Sequence, residues 1–283
     1  MKRRIQSWKI ARQRGVKRNR IPPFAPSKNE ISFYKKYILK TVGKKNFPPR
    51  ALILGATPEL RDAAIKAGLE SYAVDVSADM MNKFSALMRF QNHRLNKQII
   101  KDWLKMKFPK NYFGIIIGDA SLNNLATRDE NIALIKLCAK IVANGGYLIL
   151  RQIVYPSKLK SYKEIKRLIT DFRNRKIKWE DFFTELRVIF YKNKVYNQRT
   201  FQYNVKKNFK LIDSLLKSNL LTLKEYNKIN VFRNNVINTY YPKKFFIQEV
   251  ENNNFKLISA FHDKSFKFFK YFYMFAFKKI KSS

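Results

Sequence analysis

Several residue types are scarce in this chain of 283 residues. A single cysteine, Cys138, forbids an internal disulfide and a cysteine-rich zinc site, and it suits a reducing, cytoplasmic setting. His93 and His262 are the only histidines, so a catalytic metal held mainly by imidazoles is not expected and no metal site is assigned. The 8 glycines exclude a collagenous or glycine-repeat architecture. Acids are also few: 20 Asp and Glu face 59 Lys and Arg, a formal net charge of +39. Such a charge accompanies disorder when apolar residues are lacking, but here 46% are hydrophobic and 15% aromatic, enough to build a core. Long apolar runs are missing. The most apolar C-terminal run, residues 271–277, is bounded by Lys270 and Lys278 and falls far short of the ~20 residues of a spanning helix. The first 20 residues hold nine basic groups and no acid, with no apolar segment behind them, so they read as a basic arm or a transit segment and not as a secretory signal.

The excess charge is unevenly placed. Residues 51–150 carry 13 basic and 9 acidic side chains, whereas residues 1–50 carry 16 against one and residues 151–283 carry 30 against 10. Codon drift toward lysine is one account of the flanks. The other is a footprint for RNA or another polyanion, whose counterions clustered Lys and Arg release. Drift acts on the centre too, yet the centre is nearly balanced, so a polyanion-facing role for residues 1–48 and 156–240 stands beside it.

Prolines and changes of periodicity divide the chain. Residues 1–48 give a basic arm and an amphipathic helix, ended by Pro48-Pro49. Over 49–155 short apolar runs alternate with helical patterns, the signature of β-α-β units and a parallel sheet. Residues 156–240 are basic with helical periodicity, as in 163–169 and 211–216, and read as a helical insertion. Over 241–283 the α/β sheet resumes, with a helix to about Asn252 and strands at 255–261 and 271–277.

The first strand, Ala51-Leu52-Ile53-Leu54, runs into Gly55-Ala56-Thr57-Pro58-Glu59-Leu60, where a helix starts. Thr57 suits the N-cap, Pro58 the first helical position and Glu59 the positive end of the helix dipole. Ala63, Ala64 and Ala67 then face the sheet and Gly68 suits the C-terminal cap. A second strand ends in Asp75, twenty residues after Gly55. An acid at that spacing stands at the tip of the second strand, where its two oxygens can accept both hydroxyls of a ribose. A dinucleotide fits poorly, because the G-x-G-x-x-G positions hold Gly55, Thr57 and Leu60, Pro58 lacks an amide donor, and Glu59 would oppose a pyrophosphate. S-adenosylmethionine, an adenosine with a sulfonium and no phosphate, fits better.

A third strand, 98–101, ends in Asp102-Trp103, a carboxylate that can accept from an adenine amino group beside an indole wall for the ring. The clearest buried strand, 113–117, ends in Gly118-Asp119-Ala120, which sets Asp119 and Ala120 beside the reactive end of the cofactor. Asn123 and Asn124 can line the cofactor or the acceptor. A helix from Asp129 ends at Gly145-Gly146, and Arg151, after the fifth strand, faces the same rim as a holder for an anionic acceptor.

Over residues 50–154, and more weakly from Tyr241 onward, these strand ends resemble the class I S-adenosylmethionine-dependent methyltransferases. The family's acid and three alternating glycines correspond to Ile53, Gly55, Thr57 and Glu59, so only Gly55 keeps the pattern. The resemblance implies a Rossmann-like, doubly wound seven-stranded sheet with an antiparallel last strand, the helical insertion covering the acceptor. It implies S-adenosylmethionine held by Gly55, Ala56, Thr57, Glu59, Asp75, Asp102, Trp103, Asp119 and Ala120, with the Gly55 carbonyl and Glu59 on the amino group. Asp119 is the candidate base or orienting group, with Asn123, Asn124 and Arg151 toward the acceptor. No Asn-Pro-Pro-aromatic motif follows the fourth strand, which argues against the amino-group methyltransferases that share it. Cys138 lies inside a helix, away from the strand tips, which disfavours a cysteine nucleophile. The expected activity is methyl transfer to a small metabolite or to RNA. A non-catalytic nucleic-acid-binding protein on a degenerate methyltransferase scaffold is the alternative, and a nicotinamide-dependent oxidoreductase ranks last.

Overall fold

The computed structural model describes residues 22–155, 164–189, 195–266 and 271–280. The first 21 residues of the basic arm, and residues 156–163 at the start of the insertion, lie outside the described residues.

Ten strands form two sheets among the described residues. The larger joins β1 (Arg50–Leu54), β2 (Glu70–Asp75), β3 (Asn96–Ile100), β4 (Phe113–Asp119), β5 (Val142–Ile153), β9 (Phe255–Phe261) and β10 (Phe272–Lys279) in the order β3-β2-β1-β4-β5-β10-β9. Strand β10 runs antiparallel to both of its neighbours, and the β1–β2, β1–β4, β2–β3 and β4–β5 pairs are parallel. This is the doubly wound, seven-stranded sheet with an antiparallel last strand that the resemblance implied.

Alternation along the central strands creates two cores, one on each face. Leu52, Leu54 and Ile116 pack with α4 (Arg128–Ile141) and α9 (Lys243–Glu251), the former carrying the buried Cys138. Ala51, Ile53, Ile115 and Ile117 pack against α1 (Lys28–Leu39) and α2 (Pro58–Lys66) through Tyr34, Tyr37, Leu60 and Ala64. Helix α1 opens with a capping box, in which Ser27 Oγ accepts from the Glu30 amide at 3.1 Å and Glu30 accepts from the Ser27 amide at 2.7 Å. Thr57 occupies the N-cap of α2 as expected, but its hydroxyl makes no capping bond there. Helix α3 (Ala78–Ser85) follows β2.

Residues 164–189 and 195–240 build a third core between β5 and α9. Helices α5 (Glu164–Arg173), α6 (Trp179–Ile189), α7 (Val205–Lys217) and α8 (Leu223–Asn230) bury Leu168, Phe182, Phe183, Phe209 and Ile212 together. The insertion is not purely helical. A small antiparallel sheet, β6 (Tyr196–Asn197), β7 (Gln202–Asn204) and β8 (Ile237–Thr239), lies within it. Strands of two and three residues leave too little alternation to be read from sequence.

The Gly145-Gly146 pair also differs from expectation. Helix α4 ends at Ile141 and β5 begins at once, so both glycines belong to the strand. Phe113 pairs with Val142 but Ile115 pairs with Tyr147, and the intervening bulge turns on Gly145 at φ 74°. Among the described residues no helix is long and apolar enough to cross a membrane, and no group of three His, Cys, Asp or Glu is arranged to hold a metal.

Candidate functional site

The strand ladder assembles one rim. Leu54 pairs with both Val74 and Gly118, Asp75 with Ile100, and Asp119 with Arg151. Gly55, Asp75, Asp102, Asp119 and Arg151 therefore gather at the carboxyl ends of adjacent strands. The chain winds outward in both directions from β1 and β4, and ligands of open α/β sheets bind at such a reversal.

Two adjoining hollows of about 280 and 220 Å³ open on this rim. Gly55, Ala56, Thr57 and Asp119 line the larger, Asp102 and Asn123 the smaller, and Asp75, Trp103, Ala120 and Asn124 line both. Gly55 has φ 119°, in the range that favours glycine, and a Cβ built on it would stand 3.9 Å from both Asp75 Oδ2 and Trp103 Cζ2. The absent side chain leaves a cradle between a carboxylate and an indole. Asp75 is 9% exposed, and its Oδ1 accepts the Ser77 amide at 2.8 Å. Burial pushes its carboxyl up to about 6, against the opposing effect of the Ser77 and Val76 amides. The Trp103 ring is fixed by Nε1 donating to the Val74 carbonyl at 2.6 Å, and Asp102 caps the short turn Trp103–Lys105 by accepting the Leu104 amide at 3.0 Å. Ala120 holds φ 51°, which is uncommon for a residue with a Cβ, and its amide donates to the Arg151 carbonyl at 2.8 Å.

Three expectations need correction. Glu59 is not among the residues lining either hollow, since the ~100° step per helical residue carries it away from the side on which Thr57 faces the cleft. Arg151 is not available to an acceptor: it is 2% exposed, and its guanidinium donates to Glu30 at 2.9 Å, to Asp119 at 3.0 Å and to the Pro23 carbonyl at 3.0 Å, with its plane over the Phe272 ring. Asp119 consequently has one oxygen engaged in a part-buried ion pair with Arg151. Asn123 is a cross-link: its Nδ2 donates to the carbonyls of Ile153 and Thr239 at 2.9 and 2.8 Å, and its Oδ1 accepts the Ile153 amide at 2.8 Å. Asn124, half-buried, is the asparagine that lines both hollows.

Sequence reasoning missed the other wall. Phe183, Arg187 and Tyr240 of the insertion line both hollows, and Phe24 lines the larger. Phe24 ties this wall to the N-terminal segment by ring contacts with Phe183 and Phe232, both at 5.9 Å. Glu30, fully buried under Arg151, was overlooked as well, although the Ser27-x-x-Glu30 capping-box pattern marked it. His93 sits in an exposed loop with Nδ1 accepting the Leu95 amide, and His262 packs on Tyr273; neither lines the cleft.

No protein-family model and no curated protein matches the sequence. Solved structures do match in shape. The CcbJ methyltransferase of Streptomyces caelestis superposes with TM-score 0.54 at 11% identity, over 91% of this chain and 92% of its own. A SAM-dependent methyltransferase of Methanosarcina mazei gives 0.52 at 12%, over 87% and 98%. A Rhodobacter sphaeroides protein named for the Zn-dependent alcohol dehydrogenases gives 0.60 at 14%, over 98% of both chains. Sheet topology separates the two kinds of name. Dinucleotide-binding sheets run 3-2-1-4-5-6, whereas here an antiparallel strand is inserted between β5 and β9. The chain has the Rossmann-like fold of the class I S-adenosylmethionine-dependent methyltransferases.

Proposed function

We propose that the protein is an S-adenosylmethionine-dependent methyltransferase, with the cofactor along the strand tips and the acceptor under the insertion. The observation that carries this reading is the cradle between Gly55, Asp75 and Trp103: an open, phosphate-unfriendly space flanked by a buried carboxylate and an aromatic plane. The donor set fits the group. Asp75 Oδ2 faces the space that a ribose would enter, Trp103 offers a flat apolar wall, and Asp119 contributes a fixed negative charge toward a sulfonium.

When bound, the cofactor supplies an activated methyl carbon for in-line displacement, so the protein's task is alignment in place of covalent chemistry. Ionised Asp75 accepts hydrogen bonds from ribose hydroxyls. Arg151 locks Asp119 against Glu30, so the charge at the β4 tip keeps its position. Phe24, Phe183 and Tyr240 give the acceptor side of the cleft an aromatic wall. A hollow of this size takes a small molecule more readily than a folded RNA.

The test is calorimetry on the Asp75→Asn variant. Loss of a hydrogen-bonded charge should weaken S-adenosylmethionine binding by about 1.5–3 kcal/mol. Equal affinity in the variant and the parent would reject the ribose assignment.

A further inference from the structure

Among the described residues four asparagines line the smaller hollow, and they differ in what their carboxamides already hold. Asn123 is engaged at both ends, with Ile153 and Thr239. Asn234 is engaged at both ends within its own turn, where Nδ2 donates to the Phe232 carbonyl at 3.2 Å and Oδ1 accepts the Val236 amide at 3.1 Å. Asn238 is engaged at one end: its Nδ2 donates to the Asn123 carbonyl at 3.0 Å, while its Oδ1 accepts from no group among the described residues. Asn124 is engaged at neither end. Its carboxamide meets no hydrogen-bond partner among the described residues, although it is half-buried and lines both hollows. The backbone beneath it is clamped, because the Asn124 amide donates to the Ser121 carbonyl at 3.1 Å within the turn Leu122–Asn124, and Asn238 grips the carbonyl just before it. A fixed turn thus carries two uncommitted donors and an uncommitted acceptor to the junction of the two hollows.

The arginines lining the cleft are committed elsewhere. Arg151 is enclosed by Glu30, Asp119 and the Pro23 carbonyl, and Arg187 donates to the hydroxyls of Tyr203 and Tyr240 while lying over the Phe183 and Tyr203 rings. What the turn offers a ligand is therefore neutral and two-sided. A carboxamide pairs in one plane with a partner that sets a donor beside an acceptor, as asparagine does with the edge of an adenine. A partner lacking one of the two leaves a polar group unpaired in an apolar hollow and is penalised for it. The rings of Phe183, Phe209, Phe232 and Tyr240 give faces for a flat body, and a charge set among them without a counter-group would lose its hydration. We propose that Asn124 recognises the acceptor, and that the acceptor is an uncharged, flat small molecule with a cyclic-amide edge, its N–H beside its C=O. This deepens the methyltransferase reading and rests on it: the acids at the strand tips take the cationic cofactor, and the turn after β4 orients the acceptor.

The experiment titrates the full chain, saturated with S-adenosylhomocysteine, with 2-quinolone, quinoline and quinoline-2-carboxylate, followed by ligand-observed NMR. 2-Quinolone presents the amide edge, quinoline keeps the rings and an acceptor but lacks the donor, and the carboxylate adds a charge. The parent should bind 2-quinolone about tenfold more tightly than either of the others. Asn124→Ala should reduce the ratio of 2-quinolone to quinoline affinity to about twofold or less, and Asn124→Gln, which keeps the carboxamide, should restore part of it. Comparable binding of 2-quinolone and quinoline by the parent, no binding of 2-quinolone, or a preference for the carboxylate would each overturn the proposal without needing any variant to fold. An undiminished ratio in Asn124→Ala would overturn it too, as would displacement of 2-quinolone by a short oligouridylate but not by uridine, which would move the edge onto a polymer. Failure of the parent to bind S-adenosylhomocysteine would instead strike the methyltransferase reading beneath it, while the same ratio measured on the cofactor-free chain still decides whether Asn124 reads an amide edge.

Discussion

The two walls of the cleft are held by different forces. On the sheet side, positions are set by ladder hydrogen bonds and locked by the buried chain Glu30–Arg151–Asp119, with Tyr34 donating to the Gly118 carbonyl at 2.7 Å beneath it. On the insertion side, positions are set by ring packing, Phe183 against Phe232 at 4.5 Å and against Trp179 at 5.8 Å, and hydrogen bonds from Asn123 to Thr239, Asn238 to Asn123, Thr239 to Leu125 and Gln202 to Ala126 tie it to the segment after β4. Backbone register tolerates little displacement, whereas aromatic packing accepts side-chain replacement more readily. Under the proposed function, the first wall would hold the cofactor and the second would meet the acceptor.

The sharpest break of this contrast is Arg151→Met. It strands the buried Glu30 carboxylate and the part-buried Asp119, and chemical denaturation should show a loss of about 3–5 kcal/mol. A loss under about 1 kcal/mol would mean that the sheet wall is not locked by charge. The next effect is a pH dependence. The folded state holds the Asp75 proton to about pH 6 while an ordinary carboxyl releases it near 3.8. Stability carried by protonated Asp75 is therefore complete below about pH 4 and is lost as the pH rises through about 6, to the extent of about 2–3 kcal/mol. Asp75→Asn should remove that portion of the ligand-free protein's stability profile; an unchanged profile would contradict it. Cofactor binding should show the opposite trend, strengthening over the same interval as the carboxylate ionises.

Gly55→Ala should lower stability by about 1–2 kcal/mol because alanine resists φ 119°, and it should weaken cofactor binding by intruding on the cradle. Retention of both would show that the turn adapts. The smallest effect belongs to Glu59→Gln, which should leave cofactor affinity within about twofold. A tenfold loss would return Glu59 to the site and restore the reading that sequence alone suggested.

The sheet wall was legible because its cause is local. Apolar runs ending in Gly55, Asp75, Asp102 and Asp119 announce strand tips, and parallel pairing brings such tips together whatever the loops do. Helix α4, α9 and strand β9 were readable from their periodicity and turns for the same reason. What escaped depends on distant partners. Arg151 looked like a free cation because Glu30 lies 121 positions away, and Asn123 looked like a ligand contact because its carbonyl partner at Thr239 lies 116 away. Helical periodicity covers residues 156–240 as a whole, yet nothing in it states that Phe183 and Arg187 face the strand tips. Gly145-Gly146 was taken for a helix stop because a glycine pair signals a helix end and a strand bulge equally well.

The central claim is that the cleft accepts an adenosine with a sulfonium and rejects a dinucleotide. Calorimetric titration of the protein with S-adenosylmethionine and, separately, with NAD tests it most directly. Saturable binding of the first and none of the second is the predicted result; saturable binding of NAD with no heat from S-adenosylmethionine would contradict the account.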